Sequence, residues 1–189
     1  MLKIIAGKYG SRTIEAPKGM NTRPTTNRVR EAVFSALCSH YSFDMTLDEA
    51  RVLDLFAGSG ALSFEALSRG AEFVCLCEKN RGAIRTINKN CEILKVDRPN
   101  LKCLCIDSFS DRLLTELDKY SPFDIVFCDP PYAVDSILVA DLINMLASSQ
   151  ILKQDTLVYY EHGDSDIKQI GETLYSRTFG EVKCDIFRI

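Results

Sequence analysis

The chain has 189 residues, of which 46% are hydrophobic, and its formal net charge at pH 7 is −3. This length and composition predict one principal domain with a sizeable core. No apolar run approaches the roughly 20 residues of a membrane span, and the start of the chain breaks into turn residues too early for a signal peptide, so we expect a cytoplasmic protein rather than a membrane or secreted one.

The eight cysteines favour reduced thiols over disulfides or zinc ligands. No two of them form a C-x-x-C pair, and cytosolic disulfides are rare whereas free cysteine packs well in a core. Two histidines, His40 and His162, are too few and too far apart to suggest a metal site, so no metal is predicted. The cysteines expected to be buried in apolar segments are Cys75, Cys77, Cys91, Cys103, Cys105 and Cys128.

The first 31 residues form the positive end of the chain, with seven basic groups against two glutamates. Two strand-like runs, Leu2–Ala6 and Arg12–Ala16, flank a Gly7–Ser11 turn and predict a β-hairpin. The charge alone fits a phosphate-binding patch and a solvated polar hairpin equally well.

A helix is predicted after the segment Arg23-Pro24-Thr25-Thr26-Asn27. The proline holds Arg23 extended, and a threonine or Asn27 is available as the helix cap. Taken alone, this is the ordinary chemistry of a helix start. The expected apolar face of the helix comprises Val29, Ala32, Val33, Ala36 and Leu37.

The segment from Val52 to Leu62 predicts a strand, a tight turn and a helix, and it is the clearest ligand-binding signal in the chain. Gly58 and Gly60 allow a ligand to lie directly against the backbone where the helix begins. The dinucleotide fingerprint has a third glycine where this chain has Ser63, which disfavours a pyrophosphate. Asp54 would repel phosphates but attract a cation. S-adenosylmethionine, which carries ammonium and sulfonium charges, therefore fits better.

Three further apolar strands also end at acidic residues. Glu78 is placed to accept hydrogen bonds from ribose hydroxyls, and Asp107 from an adenine amino group. Asp129 follows the next strand. Because parallel strands present their carboxyl ends at one edge of a sheet, these acids and Asp54 are expected to line a single ligand site. The strands are predicted over residues 72–77, 101–106 and 123–128.

Helical stretches alternate with the strands and predict an α/β fold. A strand over 156–160 follows, and Gly180 separates a closing hairpin over 173–179 and 181–188. The result is a mostly parallel seven-stranded sheet with one antiparallel strand. The helices are predicted over 80–94, 108–120 and 135–152, with apolar stripes formed by Ile84, Ile87, Cys91, Leu94, Leu113, Leu117, Leu138, Leu142 and Leu146.

The motif Asp129-Pro130-Pro131-Tyr132 indicates the chemistry and supplies the candidate catalytic residues. An exocyclic amine on a base is a poor nucleophile because its lone pair is delocalised into the ring. The Asp129 carboxylate and the Pro130 carbonyl offer two hydrogen-bond acceptors that localise this pair, Pro131 helps to stiffen the turn, and Tyr132 offers a ring on which the extracted base stacks. An ordinary turn at a strand end is the alternative reading of these residues.

Three segments together resemble the RsmD family, bacterial methyltransferases that act on guanine N2 in small-subunit (16S) ribosomal RNA. They are residues 23–31, residues 54–62 together with 65–71, and the Asp129–Tyr132 motif. The resemblance covers roughly residues 2–162. It implies a class I S-adenosylmethionine-dependent methyltransferase fold, which is Rossmann-like, with residues 1–22 as an N-terminal hairpin extension and 23–189 as the catalytic domain. The chain departs from the family pattern at Asn27, Ser63 and Phe64 and in its C-terminal tail.

The resemblance also implies roles for individual residues and partners. It implies that Arg23 and Thr25 lie at the cofactor pocket. It also implies that the basic hairpin contacts ribosomal RNA within a small-subunit particle. Glu161 matches a family glutamate, for which a pocket role competes with helix capping or a surface position. The implied cofactor set is Arg23, Thr25, Asp54, Phe56, Gly58, Gly60, Glu78, Asp107, Ser108 and Asp129. The implied RNA contacts are Lys3, Lys8, Arg12, Lys18, Arg28 and Arg30.

Two other functions remain open at this point. A DNA or protein amino-group methyltransferase uses the same acid-proline-proline-aromatic motif, although this chain has little room for a DNA target-recognition domain. A non-catalytic RNA-binding ribosome-assembly factor is expected to have a broken glycine turn or to lack Asp129, and this chain has both features intact. If the hairpin only docks RNA, deletion of residues 1–18 is expected to spare cofactor binding.

Overall fold

The structure is a computed structural model that describes residues 2–17, 27–163, 168 and 170–189. The predictions made for Lys18, Arg23 and Thr25 fall outside these residues.

A seven-stranded sheet forms the centre of the fold, in the order β5-β4-β3-β6-β7-β9-β8. Among the strands that the structure describes in this sheet, β9 alone runs opposite to the other six, so the prediction of a mostly parallel sheet with one antiparallel strand is confirmed. The central strands are short apolar runs because both of their faces are covered. The strands are β3 (Arg51–Asp54), β4 (Phe73–Glu78), β5 (Leu101–Cys105), β6 (Phe123–Cys128), β7 (Leu152–Gly163), β8 (Glu172–Phe179) and β9 (Val182–Arg188).

Helices cover both faces of the sheet, and the sheet divides the core into two layers. One layer contains α1 (Asn27–Tyr41), α2 (Ala61–Ser68) and α3 (Arg81–Leu94), and the other contains α4 (Leu113–Asp118) and α5 (Ser136–Ser148). A short 3-10 helix spans Arg98–Asn100.

Two helix predictions need correction. The stretch predicted over 108–120 is helical only at Leu113–Asp118, because the residues after β5 form a turn around Asp107. Leu138, expected in the core, is 54% exposed. The buried stripe of α5 runs instead through Val139, Ala140, Leu142, Ile143 and Leu146.

The predicted N-terminal hairpin is present, and it packs into the same core as the sheet. Its strands β1 (Leu2–Lys3) and β2 (Thr13–Ile14) pair antiparallel. Ile4, Tyr9 and Ile14 are buried with the residues of α1 and α2. The hairpin is therefore an integral part of one hydrophobic core.

The carboxylate of Glu65 on α2 holds the hairpin in place. It accepts hydrogen bonds from the backbone N–H groups of Ile5, at 2.7 Å, and Ala6, at 3.1 Å. Arg69 donates to the same carboxylate at 2.8 Å. Since Glu65 is fully buried, these donors replace the water that an exposed carboxylate would bind.

All eight cysteines are free thiols, as predicted, but two of them are not buried. Cys103 is partly exposed and Cys105 is exposed, because β5 is an edge strand of the sheet and pairs with β4 alone among the described strands. Within the described ranges, no helix combines the length and apolar character of a membrane span, and no group of three or more potential metal ligands lies together.

Candidate active site

A cavity of about 780 Å³ lies at the carboxyl edge of the parallel strands. Its lining includes all four acids that the sequence places at this edge, Asp54, Glu78, Asp107 and Asp129. Its volume falls within the range typical of small-molecule sites. The structure therefore brings the strand-end acids together with the glycine turn in one pocket.

Both glycines of the turn have backbone angles in the left-handed region, with φ of 53° at Gly58 and 77° at Gly60. A Cβ added at Gly60 would lie 2.8 Å from Cε2 of Phe64, so this glycine is needed for packing. A Cβ added at Gly58 would meet no atom within 4 Å. Gly58 therefore leaves its backbone open to a ligand in the cavity.

Glu78 is buried at the end of β4 and fixes the position of the turn. Its carboxylate accepts hydrogen bonds from the backbone N–H groups of Gly58, at 2.9 Å, and Asn80, at 2.6 Å. A carboxylate has about four acceptor positions, so it can bind ligand hydroxyls as well. This geometry agrees with the predicted ribose contact.

We expect Glu78→Ala to weaken S-adenosylmethionine and S-adenosylhomocysteine by the same amount, roughly 1 to 3 kcal/mol, because both ligands carry the ribose and each would be deprived of a charge-assisted hydrogen bond. Isothermal titration calorimetry measures both affinities. The matched control is Glu92→Ala, which removes an exposed glutamate from α3. Unchanged affinities in the Glu78 variant would exclude this residue from the cofactor site.

Residues after β5 form the opposite wall of the cavity. Asp107 accepts a hydrogen bond from the backbone N–H of Phe109 at 3.1 Å and lies 3.2 Å from Nζ of Lys79. These contacts lower the pKa of Asp107, with the backbone hydrogen bond as the larger cause. Asp107 is therefore an ionised acceptor, as its predicted adenine contact requires. The hydroxyl of Ser108 donates to the Leu55 carbonyl, and the contact between Ser108 and the cofactor remains a prediction.

Phe109 is a pocket residue that the sequence interpretation missed. Its ring lies 5.8 Å from that of Phe56, centroid to centroid, and both line the cavity. The signal in the sequence is an aromatic residue two positions after Asp107, at the end of a strand. Together the two rings offer an apolar surface beside the acceptors of this wall.

Asp54 is buried behind the glycine turn. It accepts hydrogen bonds from the Ser63 hydroxyl at 2.7 Å and from the Phe56 backbone N–H at 3.4 Å. Removal from water raises the pKa of Asp54 to about 7, the negative charge of Glu78 adds to this effect, and the two hydrogen bonds oppose it. Ser63, which replaces the third glycine of the dinucleotide fingerprint, thus serves as a hydrogen-bond donor to the buried acid.

Because the pKa of Asp54 is raised, we expect the affinity for S-adenosylmethionine to depend on pH. A cation favours ionised Asp54, so binding below pH 7 must release a proton, and the affinity is expected to rise with pH by up to about tenfold per unit until it levels off above pH 7. Calorimetry at pH 6, 7 and 8, in buffers of different ionisation enthalpy, reports the affinity and the proton release. Asp54→Asn is expected to remove both effects. An affinity that is constant from pH 6 to 8 in the wild type would contradict this role.

The Asp129 turn leads from β6 into the cavity. Burial raises the pKa of Asp129 well above its usual range, and the negative charges of Glu161 and Asp54 raise it further. Pro130 is buried, whereas Tyr132 is 64% exposed at the rim of the cavity. The turn therefore places a carboxylate with a raised pKa in the wall of the cavity and an aromatic ring at its rim.

Glu161 also lines this cavity, on β7. It is only 4% exposed, and its carboxylate accepts a hydrogen bond from the Tyr159 hydroxyl at 2.6 Å. Of the three roles left open by the sequence, the surface position is wrong, because Glu161 is buried in the cavity. The pocket position follows the same rule as the other acids, since Glu161 comes directly after the apolar part of a strand.

The predicted RNA contacts divide into exposed and buried residues. Lys3, Lys8, Arg12 and Arg28 are exposed. Arg30 is 1% exposed, so its prediction as an RNA contact is wrong. Its guanidinium donates to the Lys3 carbonyl at 2.5 Å and to the Asn27 side chain at 2.7 Å, and burial lowers its pKa. Arg30 instead ties the start of α1 to the hairpin.

The chain is similar in sequence and fold to known proteins. The family described as Conserved hypothetical protein 95 matches residues 2–188. Ribosomal RNA small subunit methyltransferase D of Escherichia coli K12 is 35% identical over 160 residues, which cover 85% of this chain and 74% of that protein. The protein of the same name from Buchnera aphidicola of Acyrthosiphon pisum is 32% identical, with 97% and 91% covered. The solved structure of yhhF from Escherichia coli superposes with a TM-score of 0.79 at 31% identity and covers 99% of this chain and 97% of that one.

Proposed function

We propose that this chain, which belongs to the RsmD family and has the class I methyltransferase fold, methylates the exocyclic N2 amine of a guanine in small-subunit (16S) ribosomal RNA. Its activity is that of an S-adenosylmethionine-dependent RNA methyltransferase. The observation that carries the choice of an amine is the Asp129 turn, which opens into the cavity beside the glycine turn. The relatives whose names specify small-subunit ribosomal RNA support the substrate class.

The residues that line the cavity fit S-adenosylmethionine. The open space in front of Gly58 leaves room for the cofactor against the backbone, and Glu78 and Asp107 offer acceptors for hydroxyl and amino groups. Asp54 lies behind the turn, and its carboxylate, when ionised, can attract a positive charge of the cofactor. When bound, S-adenosylmethionine supplies an activated methyl group on a sulfonium.

The Asp129 carboxylate and the Pro130 carbonyl accept hydrogen bonds from the two N–H groups of the guanine amine and direct its lone pair toward the methyl group. The nitrogen gains the methyl group and loses one proton, and the sulfur becomes a neutral thioether. Because the pKa of Asp129 is raised, its carboxylate is well suited to take that proton. Tyr132 stacks on the extracted base, and positioning supplies most of the rate enhancement.

Exposed basic residues of the hairpin and of α1 are proposed to bind the RNA backbone. Lys3, Lys8, Arg12 and Arg28 remain the candidates among the described residues. We further propose that the substrate is RNA within a small-subunit particle, which places the enzyme in the cytoplasm. In this scheme residues 1–22 are an extension of the catalytic domain at 23–189, and Ile4, Tyr9 and Ile14 of this extension pack into the core.

Labelled S-adenosylmethionine tests the function directly. The protein is incubated with ribosomal RNA and with small-subunit particles from a strain that lacks it, and the labelled nucleoside and its position are then identified. We expect N2-methylguanosine at one position. Labelled adenine, cytosine or protein would favour the alternative amino-group methyltransferases, and binding of RNA without label transfer would favour an assembly factor.

A further inference from the structure

A second acidic group lies next to the proposed amine-binding site, and methyl transfer as described above does not use it. In the parallel pair of β6 and β7, Phe127 aligns with Tyr159 and Cys128 aligns with Tyr160. The next position along both strands therefore places Asp129 beside Glu161. Neighbouring strands are about 4.8 Å apart, and side chains at equivalent positions point to the same face. The two acids thus enter the cavity side by side.

Glu161 is held in a fixed orientation. The hydroxyl of Tyr159 donates to its carboxylate at 2.6 Å, and both residues are buried. The ring of Tyr159 in turn packs edge-on against Phe127, with 6.3 Å between the ring centroids and 82° between the ring planes. Because burial and the neighbouring charge of Glu161 raise the pKa of Tyr159 well above its usual range, this phenol remains a hydrogen-bond donor at neutral pH.

The carboxylates of Asp129 and Glu161 lie close enough for their charges to interact. Burial and the charge of Glu161 together raise the pKa of Asp129, which shows that the pair is unfavourable when both are ionised. Tyr159 donates a hydrogen bond to Glu161, and a carboxylate can accept about four in all. A ligand that brings adjacent donors into the cavity would stabilise both acids at once.

We infer that Glu161 accepts a hydrogen bond from N1–H of the target guanine and thereby makes the site specific for guanine. This inference rests on the proposed function. Guanine carries N1–H directly beside its N2 amine, so Asp129 and Glu161 match two adjacent donors on one edge of the extracted base. Adenine and cytosine place an acceptor nitrogen beside their amine, and that lone pair would face the carboxylate. Glu161 is therefore a specificity-determining residue, whereas Asp129 acts on the amine itself.

The base analogue 2-aminopurine separates these roles, because it keeps the 2-amino group but has an acceptor at N1. Ribosomal RNA is prepared by ligation with guanine, 2-aminopurine or hypoxanthine at the position identified with labelled methyl groups, and it is assembled into particles. Initial rates of methylation are measured for the wild type, Glu161→Gln and Tyr159→Phe. Glu92→Gln makes the same chemical change at an exposed position on α3 and is the matched control.

We expect the wild type to prefer guanine over 2-aminopurine by about 10³-fold or more, as is typical of sites that require a hydrogen bond the analogue cannot make. Glu161→Gln is expected to reduce this preference at least about tenfold, because a glutamine amide can donate to the acceptor at N1. Tyr159→Phe removes one hydrogen bond to Glu161 and is expected to reduce the preference about three- to tenfold. Glu92→Gln should retain the wild-type ratio.

The results that would overturn the role of Glu161 differ from those that would overturn methylation of N2. Wild-type methylation of hypoxanthine, or no methylation of guanine, would overturn N2 as the acceptor. Equal rates on guanine and 2-aminopurine in the wild type would overturn only the role of Glu161, whether or not the variants fold. A Glu161→Gln variant that slows both substrates by the same factor would likewise show a merely structural residue.

Discussion

Asp129→Ala is expected to reduce the turnover number for methyl transfer by at least about 10³-fold, because the carboxylate both orients the amine and accepts its proton. The affinity for S-adenosylhomocysteine should change by no more than a few fold, since the glycine turn, Glu78 and Asp107 remain in place. Single-turnover rates with labelled cofactor measure the first effect, and calorimetry measures the second.

The matched controls for Asp129 are an isosteric variant and a distant aspartate. Asp129→Asn keeps one acceptor but cannot take a proton, so it should also be strongly impaired. Asp141→Ala, at an exposed ion pair with Lys168, should behave like the wild type. The wild-type rate should fall as the pH falls through the raised pKa of Asp129, because only the ionised carboxylate can take the proton of the amine. An Asp129→Ala enzyme within tenfold of the wild-type rate would rule out this mechanism.

The acidic edge of the sheet is predictable from the sequence because a physical rule links pattern and position. Strands buried on both faces are short apolar runs, and a parallel sheet presents the residues after them at one edge. Asp54, Glu78, Asp107 and Asp129 all follow this rule. Glu161 follows it as well, but a glutamate after two tyrosines is equally compatible with the end of a strand at the surface, so the sequence alone leaves its place open.

Contacts between distant segments are what the sequence pattern does not reveal. Arg30 lies on a helix where an arginine is normally solvated, and it is buried because the hairpin carbonyl of Lys3 reaches it. Ser63 looks like the absence of a glycine until β3 and α2 are placed together, when it becomes a donor to Asp54. Both contacts depend on tertiary packing, which local propensity and periodicity do not encode.

The structure changes the expected effect of deleting the N-terminal hairpin. Deletion of residues 1–18 was expected to spare cofactor binding, but removal of the buried side chains of Ile4 and Ile14 would leave cavities in the core, and Glu65 would be deprived of its backbone donors. Asn90 on α3 would also be deprived of its partner Glu15, while it still donates to the Ser59 carbonyl of the glycine turn. The effects of deletion should therefore reach the cofactor site.

We expect the deletion to lower the free energy of unfolding by more than about 5 kcal/mol, from cavities of several methyl groups and an unpaired buried carboxylate, and so to abolish cofactor binding. Thermal unfolding and calorimetry test both effects. A truncated protein that melts within a few degrees of the full chain and binds S-adenosylmethionine normally would show that the hairpin is a separable arm.

RNA docking by the hairpin is better tested without disturbing the core. Lys3 and Lys8 are exposed, and the ion pair of Lys8 with Asp97 at 3.5 Å is solvated, so their joint replacement by alanine should leave the melting temperature nearly unchanged. RNA affinity should fall, and the slope of log affinity against log salt should decrease by about 0.7 to 0.9 for each phosphate that the variant no longer neutralises. If the double variant keeps the wild-type affinity and salt slope, these two lysines do not bind RNA, and the basic surface that docks it must lie elsewhere on the protein.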